Sequence, residues 1–288
     1  MAKIKLLCTG SAGFIFSNFI RYALKNSADY QIISVDKFST KSLNSIYRNK
    51  SHIVHIGDVT DPHFVDMIFT LEQPDYVIHG AAELYDPSLM AYSNIIGTKV
   101  IIDACLKHKV KKLIYTSTYE DSTYNLYSAT KAAGELLIQT SGLVYNILRP
   151  CENYGPKQQI SNFIPSIIAN ILHNNEVVLN GKENQIRDLI HVQDTCSAIL
   201  CILSNAKDNE TYEISAKQEF TDIEIFQKIC TILNRGNELL SLSNSIEHGV
   251  FNKSNNKLKE LGWFPQFKLR EGLEHTVMWY VNNSWYKD

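Results

Sequence analysis

The sequence predicts an α/β protein, a doubly wound parallel sheet followed by a smaller mixed α/β C-terminal region. Three observations carry this prediction. Short apolar runs of strand type alternate with segments of helical periodicity through the first half of the chain. A glycine turn joins the first apolar run to the first helical segment. The regularity stops where Pro150, Gly155 and Pro156 break the chain. Repeated β–α alternation implies parallel strands with helices on both faces, wound in the right-handed sense.

The predicted strands of the first half are Ile4 to Cys8, Ile32 to Val35, Ile53 to Ile56, Tyr76 to His79, Leu113 to Thr116 and Val144 to Leu148. The predicted helices between them are Phe14 to Leu24, Phe64 to Leu71, Asn94 to Lys107 and Tyr127 to Gln139. Beyond Pro150, helical patterns cover Phe163 to Leu172, Val192 to Ser204 and Thr221 to Leu233. Strand patterns cover Val177 to Leu179 and Thr211 to Ile214. The expected division is therefore residues 1–150 and 151–288.

Composition narrows the function classes. The 288 residues carry a formal net charge of −2, and the pI is near 6.5. Nucleic-acid and membrane-surface proteins usually show a basic excess, so neither partner is expected. The densest basic cluster, Lys107 to Lys112, reads as a helix end. The six cysteines form no C-x-x-C pair, and several sit in apolar runs. Buried reduced thiols are the expectation. The nine histidines lack H-x-x-x-H spacing, so no metal is expected. No apolar stretch reads as a membrane span or signal peptide, which makes the cytoplasm the expected location.

Thr9-Gly10-Ser11-Ala12-Gly13-Phe14-Ile15-Phe16 ends a strand and opens a helix. Glycines there let the backbone approach a pyrophosphate, which then sits at the helix N-terminus. Asp36 ends the next strand at the spacing of a dinucleotide fingerprint. A carboxylate there binds the adenosine ribose and repels a 2′-phosphate, so NAD is expected rather than NADP. Lys37 beside it tempers that preference. The same glycines would also make a plain tight turn. Asp58 either caps its loop or reaches the adenine. The expectation is a Rossmann-type dinucleotide site.

Tyr127 and Lys131 lie one turn apart on a predicted helix and share a face. An ammonium beside a phenol lowers its pKa, so the tyrosine can exchange a proton with a hydroxyl. Upstream, Tyr115-Thr116-Ser117-Thr118 ends a strand at the carboxyl edge of the sheet, where such folds bind ligands.

Together these parts resemble the extended short-chain dehydrogenase/reductase family. Further segments resemble its dTDP-glucose 4,6-dehydratase branch. They include Gly57-Asp58-Val59-Thr60-Asp61, Gly80-Ala81-Ala82-Glu83, Asn94-Ile95-Ile96-Gly97-Thr98 and Tyr127-Ser128-Ala129-Thr130-Lys131. The series continues through Asn153-Tyr154-Gly155-Pro156, Ile186-Arg187-Asp188 and Leu261-Gly262-Trp263-Phe264-Pro265. The resemblance implies NAD held by Gly10, Gly13, Phe14, Ile15, Asp36, Lys37, Asp58, Val59, Ala81, Ala82, Thr116, Tyr127 and Lys131. It implies a catalytic set of Thr118, Tyr119, Glu120, Tyr127 and Lys131. It also implies a nucleotide-sugar substrate contacted by Asn153 and Arg187. In this scheme Tyr127 deprotonates the C4 hydroxyl, Thr118 binds that oxygen, and Glu120 removes the C5 proton. A homodimer paired through Asn94 to Lys107 and Tyr127 to Gln139 is implied as well. UDP-sugar 4-epimerases and decarboxylases share most of these motifs, and an NAD-binding protein without catalysis is a third reading.

The chain departs from the branch pattern at several points. Phe16 replaces the third glycine. Tyr119 stands where the branch has an aspartic acid that protonates the departing C6 hydroxyl, and Asp121 is another candidate for that role. Glu120 and Asp121 also read as a solvated loop pair, and Arg187 as a surface partner of Asp188. Glu152 replaces the first of two asparagines, and Asn162 replaces a lysine. Loops after Glu83, between Glu120 and Tyr127, and before Phe251 are short.

Overall fold

The computed structural model describes residues 3–37, 47–120, 125–180, 185–243 and 254–283. The strands are β1 (Ile4–Thr9), β2 (Tyr30–Asp36), β3 (His52–Ile56), β4 (Tyr76–His79), β5 (Lys112–Thr116) and β6 (Tyr145–Pro150). They continue as β7 (Glu152–Tyr154), β8 (Val177–Asn180), β9 (Ile186–His191), β10 (Glu210–Ile214), β11 (Glu219–Thr221) and β12 (Leu240–Ser243). The helices are α1 (Phe14–Asn26), α2 (Pro62–Glu72), α3 (Pro87–Ala91), α4 (Gly97–Lys107) and α5 (Leu126–Gln139). They continue as α6 (Phe163–Leu172), α7 (Val192–Asn205), α8 (Asp222–Ile232), α9 (Asn256–Glu260) and α10 (Leu269–Asn282).

Seven parallel strands in the order β10-β6-β5-β4-β1-β2-β3 form the main sheet. The order reverses at β1, which places the ligand crevice beyond the carboxyl ends of β1 and β4. Strands buried on both faces explain the apolar runs Leu6-Leu7-Cys8 and Ile32-Ile33. One face packs against α1 and α7 through Phe19, Ile20, Cys196 and Ile199. The other packs against α2, α4 and α5 through Ile68, Phe69, Ile101, Ile102 and Ile138. A third core joins α6, α8 and α10 through Ile167, Phe226 and Leu273.

The structure adds β7, β9, β11, β12, α9 and α10 to the elements read from the sequence, and two of the expected elements differ in place or extent. The strand near Thr211 to Ile214 is the seventh strand of the main sheet, paired with β6, although it lies beyond Pro150. The helix expected from Asn94 begins earlier. Asp86 caps α3 by accepting from the Ser88 amide, and a π-helical turn, Tyr92–Ile96, joins α3 to α4. The resulting helix, Pro87 to Lys107, has 21 residues and contains an 18-residue stretch of mean hydropathy 1.3, long and apolar enough by length and composition to cross a membrane. That corrects the expectation that no apolar stretch reaches spanning length. The helix lies against α2 and α5, as a core helix does. All six cysteines are free, and Cys8, Cys105, Cys151, Cys196 and Cys230 are buried.

Phe16 packs inside the first core. Its ring is 4% exposed and lies over Gly80, where any Cβ would run into it. The large side chain is thus accommodated by the absence of one across the interface.

Candidate active site

The cradle for a dinucleotide starts at the end of β1. Gly10 has a φ of +68°, and a Cβ there would lie 2.6 Å from the Ala81 amide nitrogen. Only glycine fits that close, left-handed approach. Gly13 is the N-cap of α1 and supplies no capping side chain. No acidic residue sits in the helix's first turn, where Phe14 and Ile15 begin it. The first-turn amides and the positive end of the dipole therefore face the crevice without an internal anion. Asp36 ends β2, and its Oδ2 accepts from the Ala12 amide at 2.9 Å, tying the acidic residue to the glycine loop.

Lys37 pairs with Asp58 at 2.9 Å, and Asp58 also accepts from the Thr60 amide at 2.9 Å. Burial raises the Asp58 carboxyl, but the Thr60 bonds and Lys37 outweigh it and leave the group lowered. Asp58 therefore caps its own turn, and Val59 beside it is buried. Ala81 and Ala82 follow β4, and the Ala81 amide lies 3.3 Å from the Thr9 hydroxyl. Two buried hydroxyls at this edge of the sheet, Ser11 and Thr116, have no hydrogen-bond partner among the described residues. Orphaned donors, an open helix end and a cradle that admits no Cβ fit an adenine dinucleotide.

A polar network that sequence reasoning missed underlies the cradle. His79 is fully buried, with Nδ1 2.7 Å from Thr9 and Nε2 3.1 Å from Thr98. Burial and then the Lys131 charge push its pKa down to about 3, so the ring stays neutral. Asn94, also fully buried, donates to the Glu83 carbonyl and to Thr130 at 2.9 Å, joining the helix before α4 to α5. Polar residues inside an apolar periodicity are the signal that could have revealed both.

Tyr127 and Lys131 sit on the first turns of α5. Asn125 caps that helix through a reciprocal pair with Ser128. Glu120 accepts from the Asn125 amide side chain at 3.0 Å, which draws the end of the β5 loop to the helix start. Lys131 is 1% exposed, and its Nζ lies 4.2 Å from the centre of the Tyr115 ring. Burial lowers its pKa to about 7, opposed by Glu135. Burial, then Glu120 and Tyr85, raises the Tyr127 phenol to about 12. The expected lowering of the phenol by Lys131 does not emerge in the protein alone, where burial wins.

The remaining expected residues divide. Thr118 accepts from the Glu120 amide at 3.2 Å and shapes the same loop. Tyr119 is 5% exposed, packs in the core and acts as a hydrogen-bond donor to Asp188. Its phenol therefore turns inward rather than toward the crevice. Asn153 is also spent internally, donating to the Cys151 carbonyl and accepting from Thr195 at 2.6 Å. Asp121 and Phe251 lie outside the described residues.

Arg187 reaches the site from β9. Its Nε and Nη2 donate to Asp222 at 2.6 and 3.3 Å, and its Nη1 donates to Glu152 at 3.1 Å. The Phe163 ring lies under the guanidinium at 3.9 Å. Its ion pairs are with Asp222 and Glu152, not with the neighbouring Asp188, whose Oδ2 accepts from Ser215. Among the described residues no cluster of His, Cys, Asp and Glu could hold a metal ion.

Comparison with known proteins agrees with this geometry. Residues 6–215 match the NAD-dependent epimerase/dehydratase family. A dTDP-glucose 4,6-dehydratase of Mycolicibacterium smegmatis is 31% identical over 99% of this chain and 96% of its own length. A crystal structure of dTDP-glucose 4,6-dehydratase from Bacillus anthracis in complex with NAD superposes with a TM-score of 0.91. It is 26% identical and covers 99% of both chains. A UDP-glucose 4-epimerase from Thermotoga maritima, with UDP-glucose, is 27% identical with a TM-score of 0.87. It covers 96% of this chain and 99% of its own. The glycine cradle, the Tyr127–Lys131 pair and these matches agree, and the chain belongs to the NAD-dependent epimerase/dehydratase family.

Proposed function

We propose that this chain is an NAD-dependent nucleotide-hexose 4,6-dehydratase acting on dTDP- or UDP-glucose. The observation that carries the reading is Glu120, held beside the N-terminus of α5 and close enough to act electrostatically on Tyr127. A carboxylate there is needed to remove a C5 proton, a step that epimerisation at C4 does not contain.

When bound, NAD would supply the hydride chemistry, an acceptor for the C4 hydride and its donor to C6. Gly10, Gly13, the first turn of α1 and Asp36 hold the dinucleotide, and the Thr116 hydroxyl finds a partner at the same edge. Tyr127 takes the proton of the C4 hydroxyl, and Lys131 holds the nicotinamide ribose and supports the phenolate by its charge. The C4 ketone acidifies C5, so Glu120 takes that proton as water leaves from C6. Arg187 binds the diphosphate. Residues 1–150 hold the dinucleotide. Residues 151–288 hold the nucleotide sugar, except that α7 and β10 return to the first sheet.

Incubation with dTDP-glucose or UDP-glucose should yield a 4-keto-6-deoxy sugar without added reductant, read by mass spectrometry as loss of one water. Conversion of UDP-glucose to UDP-galactose instead would establish the epimerase reading, which the Thermotoga maritima likeness keeps in view.

We also place the chain in the cytoplasm, in keeping with its free thiols, and assign it a homodimer. Leu89, Tyr92, Ile96, Leu126 and Leu136 stay exposed along α3 to α5, a row of apolar side chains suited to a second copy. Light scattering should give twice the 32.8 kDa chain mass. A monomer at micromolar concentration would remove this assignment.

A further inference from the structure

The dehydration needs a proton donor for the departing hydroxyl, and Tyr119 has turned into the core. Another carboxyl, Glu152, lies within electrostatic reach of Glu120. Thr116 of β5 pairs with Leu148 of β6. Glu120 lies in the loop after β5, Glu152 opens β7 just beyond the end of β6, and the two carboxylates are close enough to act on each other electrostatically. Glu152 is 38% exposed, whereas its companion on Arg187, Asp222, is 5% exposed and held at the start of α8. Of Glu152 and Asp222, the more exposed Glu152 is the one freer to leave the guanidinium.

We propose that Glu152 is the acid of this enzyme: a nucleotide diphosphate takes its place on Arg187, and the released carboxyl protonates the departing C6 hydroxyl. The proposal rests on the dehydratase reading. Charge explains why the carboxyl then carries a proton. Arg187 faces it from β9, Asp222 from α8 and Glu120 from the β5 loop. Cys151 lies beside it in the chain, with a thiol that burial keeps neutral. The protein surrounding the Glu152 carboxyl raises it even though its edge stays open to solvent, Arg187 opposes that, and Asp222 and Glu120 add to it. Once the guanidinium is shared with a diphosphate, the influence that favours the carboxylate weakens and the raising ones remain.

The step balances. Glu120 takes the C5 proton, the C5–H electrons form the C5–C6 double bond, and the C6–O bond breaks. Glu152 gives its proton to that oxygen, and water departs. The proton Tyr127 took from the C4 hydroxyl passes to solvent, and solvent reprotonates Glu152.

The test is calorimetry at neutral pH in buffers of different ionisation enthalpy. dTDP-xylose and UDP-xylose are the probes, since both lack C6 and carry phosphates that do not titrate there. Binding to the wild-type chain with NAD should take up roughly one proton per ester. Glu152→Gln should take up none and bind about tenfold more tightly at alkaline pH. With dTDP-glucose the same variant should oxidise C4 yet dehydrate at least ~10²-fold more slowly, so that reduced nicotinamide accumulates. Wild-type binding without proton uptake overturns the proposal alone, whether or not the variant folds. Undiminished dehydration by Glu152→Gln does the same. Binding of neither ester overturns the dehydratase reading and this proposal with it.

Discussion

Changing Tyr127 to phenylalanine should lower turnover of the nucleotide sugar by about 10²–10⁴-fold, the range for losing a positioned acid–base group. The ring and the capped start of α5 remain, so the fold and NAD retention should be unchanged. The phenol stands half-buried near Glu120, one helical turn from Lys131. Single-turnover reduction of the cofactor isolates this step from product release. If Tyr127→Phe reduced bound NAD as fast as the wild-type chain, the assigned proton acceptor would be wrong.

Changing Lys131 to methionine should abolish turnover and yet stabilise the protein. An ammonium that is 1% exposed is costly, and burial is what lowers its pKa from 10.5 to about 7. Below pH 7 both folded and unfolded chains carry the charge, and the full penalty falls on the folded one. Between about 7 and 10.5 the unfolded chain binds the extra proton, so stability rises with pH across that window. The cation–π contact with Tyr115 and the Glu135 charge offset part of the cost. The net expectation is a gain on the order of a few kcal/mol at pH 6.5 for Lys131→Met, or roughly 5 °C in Tm. The gap should shrink toward pH 10. Thermal melts at the two pH values measure it, and a variant less stable than wild type at pH 6.5 would refute the argument. A stabilising change that removes activity is expected where a site holds an unfavourable charge for its chemistry.

The glycine turn and the strands and helices around it were largely legible in the sequence. Gly10, Gly13 and Asp36 are set by backbone geometry at close range, and the structure ties Asp36 to the Ala12 amide within that same turn. The Tyr127–Lys131 pair follows from helical spacing alone. Tyr119 was not legible. Its place in the chain matches an acid, but its orientation depends on Asp188, which lies on a strand of the other region. Asn153 and Arg187 were found as candidates, while their partners Thr195, Asp222 and Glu152 come together only across β7, β9, α7 and α8.

By itself the sequence determined the alternation of strands and helices, the glycine turn and the residues one helical turn apart. Each of these depends on chain geometry within a few residues. Only the tertiary structure decided that Phe16 is tolerated, because Gly80 leaves room beneath its ring. It also decided that β10 closes the first sheet and that Glu152 neutralises Arg187. Packing and charge pairing join groups far apart in the chain, and no local pattern encodes which of them will meet.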